Sequence, residues 1–246
     1  MSKKIYLSPS SQPANTYAVG NTNEQEQCRR IAAAARDALI RCGFDVKAGM
    51  DGTMYTRTRE SNNWGADLHV PIHTNAWKGQ LQGTRMFCSS VSGEGGKACK
   101  AILNVLAPLV PGTSDNVQPA TYYEITETKA PCAYVEAAFH DHPEQAQWII
   151  DHVVEIGEGI CEGICNHYGV KYIPANAEPQ PEVKPAEKPT EKPATTEKPA
   201  TTEKIYRVFN ASGKQTGAYN MESNALNQVK AQLQLTGGAT ITYGPR

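Results

Sequence analysis

No stretch of this chain approaches the 18 or so consecutive apolar residues that a membrane helix needs. The opening residues, MSKKIYLSPS, carry two lysines and then turn polar, so the apolar core of a secretory signal is missing as well. The expectation is a protein made in the cytoplasm without a signal peptide, one that meets an external substrate only after release. Charge of one sign is also lacking, with 24 Lys and Arg against 25 Asp and Glu. That balance excludes the strongly basic surface on which nucleic-acid binding usually depends. Paired Cys or His motifs for metal are absent too. The seven cysteines (Cys28, Cys42, Cys88, Cys99, Cys132, Cys161, Cys165) are an odd number scattered through apolar segments. They read as reduced, buried thiols. Cys161 and Cys165 stand four apart in an expected helix and share a face. With no accompanying pair, core packing is the expectation for them rather than a metal or redox pair.

What is present divides the chain unevenly. From Pro174 to Lys204 it reads PANAEPQPEVKPAEKPTEKPATTEKPATTEK, with a near repeat and almost no large apolar residue. Such a stretch cannot bury enough surface to offset its ordering entropy, so it is expected to be an extended linker. It separates residues 1–173, with 15 basic and 18 acidic side chains, from a tail, 205–246, with four basic and one acidic.

In the first part KIYLSPS reads as a strand ending in a loop, and Thr22 with Gln25 gives a capping signal for a helix that stops at Gly43. GFDVKAG, ADLHVPIHTNA, GTRMFCSS and APCAYVEAAF read as strands. KACKAILNVLAPLV and PEQAQWIIDHVVEIGEGICEGICNHYG read as helices, the second a single long closing helix. Strands alternating with helices predict an α/β domain with a mostly parallel sheet and helices on both faces. The tail reads as a β-hairpin, a helix over 221–234 and a last strand, a small α+β unit. Forty residues make a marginal core, so self-association or ligand binding would help to hold it.

In open α/β sheets, sites form where loops leave the carboxyl ends of the strands. His73 ends an apolar strand, where a neutral imidazole makes a good zinc ligand. Alone, such a histidine is more often hydrogen-bonded structure than a ligand. His69 is on the same strand face but roughly 13 Å behind, too far to share a metal, and reads as structural. Glu24 opens the first long helix, where an acid also complements the helix dipole. Glu136 interrupts an apolar strand, and a carboxylate there must be paired, bound to metal or shifted in pKa.

Taken in order, these pieces resemble the catalytic domain of the amidase-3 type of N-acetylmuramoyl-L-alanine amidases over residues 3 to about 168. The resemblance rests on Glu24 and its helix, Thr58-Arg59, Ile72-His73-Thr74-Asn75-Ala76, Gly83-Thr84 and Pro131 to Phe139. It implies zinc-dependent cleavage of the amide that joins glycan to stem peptide in peptidoglycan. Glu24 and His73 would be zinc ligands. Glu136 would take a proton from the attacking water and pass it to the leaving amine, and Asn75 would contact substrate. The chain departs from the family in its first loop. There SPSSQ stands in place of a DPGHGG-like sequence, with Ser11 at the position of the histidine that is the first ligand. His140, four residues after Glu136, is the expected replacement, and Gln12, through its amide oxygen, the alternative. A two-ligand site or none at all stays open.

The tail faintly resembles the sheet-and-helix modules, such as the sporulation-related repeat, that tether wall hydrolases. An endolysin-like enzyme with peptidoglycan as its partner, and neither nucleic acid nor membrane, is the leading expectation. A metal-free relative that only binds the wall and a zinc peptidase cutting the stem are the other two.

Overall fold

In the computed structural model, the described residues are 2–175, together with the strand backbone of residues 204–210, 215–219 and 239–245. The chain divides into two compact units, Met1–Glu182 and Val183–Arg246. The proline-rich stretch beyond Ala175 and the helix expected over 221–234 lie outside the described residues.

The first unit is built on a six-stranded sheet. In chain order its elements are β1 (Lys4–Pro9), α1 (Glu24–Arg41), β2 (Asp45–Ala48), α2 (Met54–Trp64), β3 (Leu68–Asn75), β4 (Arg85–Cys88), α3 (Glu94–Leu106), β5 (Gln118–Pro119), α4 (Tyr123–Thr126), β6 (Tyr134–Phe139), α5 (Pro143–Asp151) and α6 (Val153–Tyr168). The strand order is β2-β1-β3-β6-β4-β5, parallel except that β4 runs antiparallel to β6. The sheet is therefore mixed, with its parallel part carrying the long, doubly buried strands.

Alternation along β1 shows why. Ile5 and Leu7 enter the main core with Cys28, Ile31 and Leu39 of α1. Tyr6 and Ser8 point the other way, to Glu60 and Arg57 of α2. Helices thus cover both faces. The second unit contributes β7 (Lys204–Asn210), β8 (Gln215–Tyr219) and β9 (Ala239–Pro245), an antiparallel sheet in the order β8-β7-β9.

Two local expectations are corrected, and one helix is added. The N-cap of α1 is Asn23, whose Oδ1 accepts from the Glu26 amide at 3.0 Å, whereas Thr22 donates its hydroxyl to the Glu26 carboxylate at 2.8 Å. The long closing helix is broken at His152, whose ring donates to the Trp148 carbonyl at 2.8 Å and stacks on the Trp148 ring. Helix α2 has no apolar stripe to announce it, because the residues it buries are Arg57, Thr58 and Ser61. A capping box, Thr53 with Thr56, starts it, and Gly65 in the left-handed region stops it.

Helix α6 packs against both α1 and α3. The close approach depends on Gly163, where a Cβ would fall 2.4 Å from the Ile102 Cα on α3. Because the obstacle is backbone, Gly163→Ala is expected to destabilise the protein by about 1–3 kcal/mol, the usual cost of overpacking. A thermal melt unchanged by the substitution would mean that α3 and α6 have room to separate.

Candidate active site

The site is assembled where β1, β3 and β6 end and α1 begins. Pairing of β1 with β3 continues past Pro9, as the Ser10 amide donates to the Ile72 carbonyl at 2.9 Å. This holds the following loop over the end of β3. On the other side of β3, His73 and Glu136 are partners in register on parallel neighbours, so both side chains leave the same face. Beyond them the β3–β6 register shifts, an irregularity of the kind that re-aims side chains at functional sites.

Glu24, the first residue of α1, reaches back to this point. Its Oε1 lies 2.8 Å from His73 Nδ1. Asn15 holds the same residue twice, its amide side chain donating to Glu24 Oε2 at 2.6 Å and its carbonyl accepting from the Glu24 amide at 2.9 Å. The His73 ring stacks on Tyr134, with centroids 4.7 Å apart. Ser11 and Gln12 lie across from it, the Gln12 side-chain amide 3.4 Å from His73 Nδ1. Together with Tyr55, Tyr122, Tyr123 and Arg57 they line a cleft of about 460 Å³.

The electrostatics are those of a place built for positive charge. Burial opposes a charged His73, but the hydrogen bond it donates to Glu24 and the charges of Glu136 and Glu24 outweigh it and raise its pKa. Burial likewise opposes the Glu24 carboxylate, and the bonds from His73, Asn15 and Ser10 prevail and lower its pKa. Glu136 is pushed up to about 8, by burial first, with His73 acting against the shift and Glu24 adding to it. Two buried atoms, His73 Nε2 and Glu136 Oε2, have no hydrogen-bond partner. Such orphans are costly, and a ligand or substrate in the cleft is the natural partner for them.

The residue types suit zinc. A tetrahedral site with bonds of about 2.0–2.1 Å places neighbouring donor atoms about 3.3 Å apart. Glu24 Oε1 and His73 Nδ1, at 2.8 Å, are close to that edge. The Gln12 atom 3.4 Å from the same nitrogen is its amide nitrogen, while its Oε1, the atom that could bind metal, accepts from Asn15 at 3.2 Å, so the amide would have to turn to serve as a ligand. His140 is not brought to them. Its Nδ1 stands 2.9 Å from the Thr74 carbonyl and 3.0 Å from the Thr74 hydroxyl, and its ring stacks on Tyr17. Among the described residues, no three Cys, His, Asp or Glu donor atoms within 4.8 Å of one another include His140. The expected replacement for the loop histidine is thus held in structure on the far side of Thr74, and the alternative, Gln12, is the residue beside His73.

The sequence of the family described as N-acetylmuramoyl-L-alanine amidase matches residues 7–166. The chain belongs to that family. It is accordingly a peptidoglycan amidase, a hydrolase of a carbon–nitrogen amide bond. Among curated proteins no relative matches. Solved structures of similar fold include the catalytic domain of CwlV, an N-acetylmuramoyl-L-alanine amidase from Bacillus (Paenibacillus) polymyxa var. colistinus. It is 17% identical, with a TM-score of 0.62 over 69% of this chain and 99% of that one. An N-acetylmuramoyl-L-alanine amidase from Clostridium difficile 630 is 20% identical, with a TM-score of 0.58 over 68% and 97%. The catalytic domain of an endolysin targeting Clostridia difficile is 18% identical, with a TM-score of 0.58 over 67% and 97%.

Other residues of this amidase fall as follows. Asn75, at the end of β3, is half-buried, and its side chain accepts from the Ala76 amide at 2.8 Å. His69 is buried between Ser61 at 3.0 Å and Glu124 at 3.2 Å, with Tyr6 stacked on it, as a structural residue would be. Sequence reasoning missed Glu124, a buried carboxylate that lines the cleft and accepts from the Ser8 hydroxyl. It sits in the polar run TYYEITETK, where no apolar context singles it out.

The raised Glu136 carboxyl has a thermodynamic consequence. An unfolded Glu titrates near 4.3, whereas folded Glu136 titrates at about 8. Between those values the folded protein keeps a proton that the unfolded chain has lost, so stability falls as pH rises through the window and levels off above it. In chelator-treated protein, Glu136→Gln is therefore expected to raise the melting temperature at pH 8 and change it little near pH 4. Parallel pH profiles for the two proteins would show that Glu136 is not desolvated as described.

Proposed function

We propose that this amidase hydrolyses the bond between N-acetylmuramic acid and the L-alanine of the stem peptide, with zinc held by Glu24 and His73. The Gln12 amide takes the place that the loop histidine would fill. The observation that carries this reading is the in-register placement of Glu136 beside the Glu24–His73 pair. It sets a carboxyl that titrates near neutrality and lacks a partner next to a buried site that favours positive charge.

Zinc bound there supplies a Lewis acid that polarises the scissile carbonyl. The rest is done by side chains. Glu136, desolvated and beside the Glu24–His73 pair, accepts a proton from water and returns it to the leaving amine of alanine. Asn15 keeps the Glu24 carboxylate aimed at His73, and Tyr134 fixes the plane of the imidazole. The tyrosines of the cleft give the stem peptide an apolar wall, and Asn75, at the end of β3, would contact substrate. The setting we propose is endolysin-like, a wall-degrading enzyme acting after release, with the small C-terminal unit as a wall anchor. The fold likeness to an endolysin catalytic domain supports that setting.

Digestion of purified cell walls tests the bond cut. The expected products carry new N-terminal alanine with no new reducing sugar ends, and a chelator abolishes their release. Glu136→Gln is expected to lose roughly 10²–10⁴-fold of the rate, the usual contribution of a general acid–base group, while keeping its fold. New N-termini other than alanine would transfer the activity to the stem peptide. Wall binding without any hydrolysis would make the protein a binding module.

A further inference from the structure

One end of α1 serves the catalytic site, and its other end carries a cluster that takes no part in it. Cys42 caps α1, and Cys161 and Cys165 lie one turn apart on α6, which packs along α1. All three are buried free thiols, and their sulfur atoms lie within 4.8 Å of one another. Helix α1 has 18 residues, so at 1.5 Å per residue the cluster stands roughly 27 Å from Glu24. The sequence displayed only the spacing of Cys161 and Cys165. The fold adds a third sulfur from 119 residues away in the chain.

We propose that Cys42, Cys161 and Cys165 form a three-thiolate site for a soft d¹⁰ cation, separate from the catalytic centre. The site would clamp the ends of α1 and α6 to the segment that leads into the proline-rich stretch. Cys161 Sγ is 3.7 Å from Cys42 Sγ and 4.0 Å from Cys165 Sγ. Metal–sulfur bonds of about 2.3 Å place two thiolates about 3.8 Å apart on a tetrahedral edge and about 4.0 Å apart in a trigonal plane. A disulfide needs about 2.05 Å, a far larger rearrangement than loading a cation.

The surroundings supply the outer contacts that thiolate ligands use. The Ile173 amide donates to Cys42 Sγ at 3.3 Å. Arg41 donates to the Ile173 carbonyl at 2.7 Å and to both oxygens of Glu158, so a guanidinium is fixed beside the cluster. Tyr172 adds a hydroxyl to Glu158 at 2.5 Å. No imidazole or carboxylate stands as a fourth donor in the cluster among the described residues. That favours soft cations that accept sulfur-only coordination over hard ones. Each thiol that enters coordination gives its proton to solvent.

The test uses the full-length protein, reduced with a phosphine and titrated with Cd²⁺. A sulfur-to-cadmium charge-transfer absorption should develop and saturate at one equivalent per chain. It should survive in His73→Ala, which removes the catalytic pair, and disappear in Cys161→Ser. X-ray absorption at the cadmium edge of the unmutated protein gives a readout independent of how the variant folds, and three sulfur neighbours are expected. An oxygen- and nitrogen-only shell, an absorption unchanged by Cys161→Ser, or a Cys42–Cys161 disulfide persisting in the phosphine would each overturn the proposal.

Discussion

The contact between Glu24 and His73, 2.8 Å across the gap between the start of α1 and the end of β3, ties the two halves of the site together. Everything else at the cleft is arranged around it. The contact exists because β1 lies between β2 and β3, so that the chain leaving β1 crosses the top of the sheet before entering α1. Asn15, in that crossing, binds Glu24 by side chain and backbone. Gln12, three residues earlier, lies beside His73. A carboxylate almost fully removed from water is held charged by hydrogen bonds from His73, Asn15 and Ser10. In an apolar setting without them it would take up a proton.

Glu136 is treated in the opposite way. It shares the face of His73 and gains the field of Glu24, yet nothing donates to its Oε2. The site therefore holds the carboxylate of α1 ionised and raises the pKa of the one on β6, the separation of roles that acid–base chemistry uses. A second buried polar network lies below. Arg57 bonds Ser8 at 2.7 Å, Ser8 bonds Glu124, and Glu124 bonds His69 at 3.2 Å. It connects the floor of the cleft to α2 and gives that helix, poor in apolar residues, a reason to dock.

The sequence made the α/β class legible through its long apolar strands, and it made Glu136 conspicuous as a charge among alanines and aromatics. His73 and Glu24 could be paired only through family resemblance, since 49 residues separate them and each has an ordinary explanation in its own element. The choice of His140 over Gln12 followed ligand chemistry, whereas the structure adds the direction in which each side chain is held. His140 turns toward Thr74 and Tyr17, a fact that strand spacing does not carry. Helix α2 and the break at His152 were hidden for similar reasons. Polar burial leaves no periodic stripe, and a histidine that bonds its own preceding turn looks like any helical residue.

Anomalous X-ray scattering from crystals soaked in zinc tests the central claim most directly. The account predicts a zinc peak within about 2.0–2.2 Å of Glu24 and His73, with the Gln12 side chain turned toward it and the His140 contacts to Thr74 intact. A peak coordinated by His140, or none between Glu24 and His73 while the protein still cuts peptidoglycan, would contradict it.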